Sequence, residues 1–104
     1  MDAKLIQEIV GRILAVSHPD RIILFGSVAT GRATRDSDVD LLVLQSDVAD
    51  PRKESLTIRA ALAGMNRAFD VLVMRTERFE ETKDVIGGIA YPANKYGKVL
   101  YEAA

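Results

Sequence analysis

Apolar residues in the first part of the chain recur at the three-and-four spacing of a helix. Leu5, Ile6, Ile9, Val10, Ile13 and Leu14 form one stripe, and Lys4, Glu8 and Arg12 fall on the other side. Asp2 stands at the N-cap position, where a carboxylate can accept from the open amides of the first turn. Ser17-His18-Pro19-Asp20 ends this helix, because proline disfavours helical backbone in the residue before it. Ile22-Ile23-Leu24-Phe25 then reads as a short buried strand closed by Gly26-Ser27. A second apolar run, residues 39–44, surrounds Asp40 and predicts a second strand. Asp50-Pro51, an N-cap followed by proline at the first helical position, opens a helix. Its buried stripe is Ile58, Ala61, Leu62 and Met65, and it is expected to end near Asn66. Residues 69–74 form a third strand. Thr76 is expected to cap a charged helix running through Lys83, which Gly87-Gly88 interrupts. A short segment bearing Pro92 and a last strand, residues 98–102, finish the chain.

Strands and helices alternate through short connections, with no repeat, linker or low-complexity stretch. The pattern predicts an α/β (α+β) fold, a small mixed sheet flanked by helices, in a single domain spanning residues 1–104. At 104 residues and 48% apolar content the chain can bury one core and is too short for two. Fourteen basic against fifteen acidic side chains give a net charge of −1, which lacks the electrostatic footprint of a nonspecific nucleic-acid binder. Direct nucleic-acid binding is therefore not expected. Cysteine is absent, so disulfides and thiolate metal sites are excluded, in keeping with a reducing cytoplasm. No apolar stretch approaches the ~20 residues of a membrane span, and the expectation is a soluble, cytoplasmic protein with no membrane partner.

The candidate chemistry lies at the strand ends. Asp38 and Asp40 are two apart on an extended segment, so they project from one side and can share a cation. Two such carboxylates repel unless a metal or proton intervenes, and Mg²⁺ commonly takes one or two carboxylates together with substrate phosphates. Asp70 opens the third strand as Asp38 and Asp40 open the second. If those strands are parallel neighbours joined by the intervening helix, all three carboxylates meet at one sheet end. Gly26-Ser27 reaches the same place only if the first strand runs antiparallel to the second. There Gly26 would let a phosphate approach the backbone, the following N–H groups would face it, and Ser27 would add a hydroxyl donor. A phosphate cradle facing carboxylates suits metal-assisted displacement at phosphorus. Asp36-Ser37-Asp38-Val39-Asp40 also imitates the start of a calcium-binding EF-hand loop, but Leu41 stands where that loop needs glycine. His18 reads as an ordinary loop residue.

The Gly-Ser pair, ten residues and then Asp-x-Asp, here GSVATGRATRDSDVDLLV from Gly26 to Val43, resembles the polymerase-beta nucleotidyltransferase signature. Together with residues 22–25, the third aspartate in residues 69–73 and the ending Gly97-Lys98-Val99-Leu100-Tyr101-Glu102, it looks like the minimal nucleotidyltransferase (MNT) antitoxins, over nearly the whole chain. That resemblance implies a polymerase-beta-like nucleotidyltransferase fold, ATP as nucleotide donor and two Mg²⁺ ions. It implies Asp38, Asp40 and Asp70 as metal ligands, with Asp70 also helping to deprotonate the acceptor. Many relatives have a basic residue directly after Gly-Ser, where this chain has Val28; Arg32 or Arg35 would have to supply that charge to the triphosphate. The implied partner is a cognate HEPN-family ribonuclease toxin, silenced by AMP added to a tyrosine. Two other functions compete: an antitoxin that acts only by covering its partner, and a transferase for small molecules. The first has no need of adjacent uncompensated carboxylates. The second usually needs a further domain to enclose its substrate.

Overall fold

A computed structural model describes residues 1–31 and 38–104, with the backbone alone at Ser27. The elements run α1 (Ala3–Leu14), β1 (Arg21–Phe25), α2 (Gly26–Ala29), β2 (Val39–Gln45), α3 (Pro51–Ala61), β3 (Phe69–Arg75), α4 (Thr76–Thr82), α5 (Ala90–Tyr96) and β4 (Lys98–Glu102). The predicted caps of the two long helices are present. The Asp2 carboxylate accepts from the Leu5 amide at the start of α1, and Asp50 accepts from the Lys53 amide ahead of Pro51 in α3.

The strands form one mixed sheet in the order β3-β2-β1-β4. β1 pairs antiparallel with both β2 and β4, and β2 pairs parallel with β3. Alternation along the strands divides the core between two faces. Ile22, Leu24, Leu41, Val43, Val71 and Val73 point to one face, where Ile9 and Ile13 of α1 and Ile58 of α3 meet them. Ile23, Leu42 and Leu44 point to the other, under Phe79 of α4 and Ala90 and Ala93 of α5. Phe79, Ile58, Leu41, Leu42 and Leu44 are fully buried, so both faces of the two central strands are dry. That double burial is why these strands read as continuous apolar runs rather than as alternation.

Two local expectations need correction, and one unassigned segment gains a structure. α3 ends at Ala61, short of Asn66, and the chain then turns through Gly64 (φ +87°) and Asn66 (φ +60°). The Arg12 guanidinium of α1 donates to the carbonyls of Ala61 (3.2 Å) and Ala63 (3.1 Å), so these C=O groups are satisfied without further helix. Thr76 does not cap α4; it is the first helical residue, and its hydroxyl donates instead to Asp20 Oδ2 at 2.5 Å. The segment around Pro92 is helical. Proline occupies the first turn of α5, where its missing N–H has no intrahelical acceptor to lose. Among the described residues no helix is long and apolar enough to cross a membrane.

Candidate active site

Strand direction decides where the candidate residues fall. Because β1 is antiparallel to β2, its last residue Phe25 lies opposite Asp40, and the chain then turns at Gly26 directly over that carboxylate. Because β2 and β3 are parallel and in register, Asp40 lies beside Asp70. The Val39 amide donates to the Ala68 carbonyl at 2.9 Å, extending the pairing beyond the start of β3. Asp38 immediately precedes β2 and is exposed. Gly26, Asp38, Asp40 and Asp70 thus gather at one end of the sheet, because both conditions on strand direction are met.

Glycine is favoured at Gly26 for two reasons. Its φ of +74° is one that residues with a Cβ seldom adopt. A Cβ built on it would lie 2.3 Å from Asp40 Oδ2, inside any van der Waals contact. Asp40 is therefore packed against the backbone of the turn that opens α2. Burial raises the Asp40 carboxyl above its ordinary range, and the charges of Asp70 and then Asp38 push it the same way. Among the described residues, the end of the sheet concentrates negative charge without a buried counter-charge.

Asp70 differs from its neighbours. Its side chain is 66% exposed and Oδ1 lies 3.4 Å from Arg59 Nη2, on α3. Among the described residues no three acidic or histidine side chains are drawn together closely enough to hold a metal ion. Arg59 is a residue that sequence reasoning missed. It sits beside the buried Ile58 in the stripe of α3, and nothing local connects it to an aspartate 11 positions later. The Ser27 side chain, Arg32 and Arg35 lie outside the described residues. His18 is exposed and far along the chain from these carboxylates in the loop before β1. A cavity of about 400 Å³ opens at the opposite end of β2, lined by Gln45, Asp50, Lys53 and Glu54 among others, and it contains none of the predicted site residues.

The sequence profile described as "Polymerase beta, Nucleotidyltransferase" matches residues 7–103, almost the entire chain and every residue of this site. The chain belongs to the polymerase beta nucleotidyltransferase family. Among curated proteins no sequence matches it. Solved structures agree on the fold of this nucleotidyltransferase. A chain of a toxin-antitoxin crystallised with AMP-PNP superimposes with a TM-score of 0.66 at 20% identity, over 94% of this chain and 73% of that one. A chain of a toxin-antitoxin MntA-HpeT mutant, carrying two Asp-to-Glu substitutions, gives a TM-score of 0.67 at 21% identity over the same shares. A third chain comes from the tri-AMPylated Shewanella oneidensis HEPN toxin in complex with MNT antitoxin. It gives 0.56 at 19% identity, over 96% of this chain and 72% of that one.

Proposed function

We propose that this chain is a Mg²⁺-dependent antitoxin that moves AMP from ATP to a tyrosine hydroxyl of a cognate HEPN ribonuclease toxin, within a hetero-oligomeric complex in the cytoplasm. The observation that carries the reading is the register that sets Gly26 over Asp40 and Asp40 beside Asp70. The solved relatives support the donor and the acceptor class: one was crystallised with AMP-PNP, and another contains an AMPylated HEPN toxin.

The donor set fits magnesium. It consists of hard carboxylate oxygens, one of them on a carboxyl whose charge is disfavoured by burial and by its neighbours. Asp38, Asp40 and Asp70 would hold two Mg²⁺ ions. Bound there, Mg²⁺ would neutralise triphosphate charge and act as a Lewis acid toward the phosphoryl oxygens. The remaining work falls to the chain itself. Gly26 admits a phosphate close to the backbone, the first amides of α2 donate to it, and the Ser27 hydroxyl and the Arg32 charge bind the triphosphate. Asp70 takes the proton from the acceptor oxygen as that oxygen bonds to the α-phosphorus and pyrophosphate leaves.

In this reading the acceptor's own fold completes the site. AMP added near RNA-cleaving residues would block RNA by bulk and by its negative phosphate. Intact-mass measurement of the protein encoded beside this one, after co-expression, should show added AMP units that vanish with Asp38→Asn/Asp40→Asn. A partner that stays unmodified and is still neutralised by the double variant would mean that this antitoxin acts by binding alone.

A further inference from the structure

The pairing of Arg59 with Asp70 has a geometry of its own. β3 is an outer strand of the sheet, and α3 packs on the face where Ile58 meets Val71 and Val73. Asp70 alternates with Val71, so its side chain belongs to the opposite face. Arg59 therefore reaches from its own face around the edge of β3 to Asp70 Oδ1, 3.4 Å away. Of the three aspartates, Asp70 is the one with a cationic partner among the described residues. Both side chains are substantially open to water, at 49% and 66% exposure. Such a pair shifts an equilibrium only a few-fold, so a divalent cation can displace it.

We propose that Arg59 is a latch on Asp70, holding this carboxylate at the sheet edge and out of the shared metal site until a divalent cation displaces the guanidinium. Arg59 is then a positioning residue: it acts on the metal through Asp70. The inference rests on the proposed role of Asp70 as a metal ligand. The latch lowers repulsion at the empty site and makes recruitment of Asp70 a consequence of metal binding.

The test is titration of the nucleotide-free, full-length protein with Mn²⁺ alone, followed by electron paramagnetic resonance of the free ion. Arg59→Gln should bind Mn²⁺ about 2- to 5-fold more tightly than the wild type, the range of an exposed ion pair. Arg59→Lys, which keeps the cation, should restore affinity toward the wild-type value, and in an Asp70→Asn background Arg59→Gln should have no effect. Unchanged affinity in Arg59→Gln, or an equal gain when Asp70 is already Asn, overturns the latch. If the wild type and Asp38→Asn/Asp40→Asn bind Mn²⁺ alike, the metal-site assignment fails first and the latch fails with it.

Discussion

The two ends of the sheet treat aspartate in opposite ways. At one end Asp20 lies just before β1, where the hydroxyls of Ser46 and Thr76 donate to its Oδ2, the latter at 2.5 Å. Those hydrogen bonds hold its carboxyl below the ordinary carboxylate range. Around it the polar groups are matched: Arg21 pairs with Glu80 and stacks over Phe79, Lys83 also pairs with Glu80, and the Ala103 amide donates to the Asp20 carbonyl. Nearby Ser17 is buried, with Oγ 2.8 Å from Gln45 Oε1 and 3.0 Å from Glu54 Oε2. At the other end Asp40 has carboxylates for neighbours, and its carboxyl is raised. A carboxylate ringed by donors fastens a structure together. One ringed by carboxylates is destabilising until a cation arrives, and that difference separates the framework of this fold from its candidate site.

The contrast can be broken most severely at Gly26. Gly26→Ala forces a Cβ onto Asp40 Oδ2 at a positive φ, and should cost ~1–3 kcal/mol of stability together with most of the transfer activity. Chemical denaturation and a transfer assay on the same preparation check both effects; a stable and active variant would detach the turn from the site. Asp20→Asn should weaken two charged hydrogen bonds and remove roughly 1–2 kcal/mol after solvent screening, with transfer per folded molecule retained. The sign with pH is fixed by its lowered value. The Asp20 contribution is present above the ordinary 3.8 and is lost as pH falls through the folded-state value. Thermal melts of wild type and Asp20→Asn should therefore converge in acid. The smallest effect belongs to Asp40→Asn, which in chelator at neutral pH should raise the melting temperature slightly. Asp40 has a raised value, so its ionised form costs stability as pH rises from the ordinary 3.8 through the folded-state value. The advantage of the variant should disappear below that window; an advantage that persists there would assign the gain to packing.

Much of this layout was legible in the sequence, because the signals were local or were fixed by parity. The Gly26-Ser27 turn after an apolar run, the Asp38/Asp40 spacing and the aspartate opening the third strand converge once strands alternate, β1 runs antiparallel to β2 and β3 lies parallel beside it. What could not be read depends on contacts between distant parts of the chain. Met65 continues the apolar spacing of α3, so periodicity alone extends that helix; its end is set partly by Arg12, 49 residues before Ala61. Thr76 looks like a cap until Asp20, 56 residues away, takes its hydroxyl. Arg59 looks like any solvated helix charge until the edge of the sheet brings Asp70 beside it.

The central claim is that the Gly26 end of the sheet transfers a nucleotide. Incubation with ATP labelled on the α-phosphate and Mg²⁺, with and without the protein encoded alongside, tests it most directly. Label should appear on that partner, be lost with chelator and fall on the order of 1000-fold with Asp38→Asn/Asp40→Asn. Undiminished labelling by the double variant would contradict it.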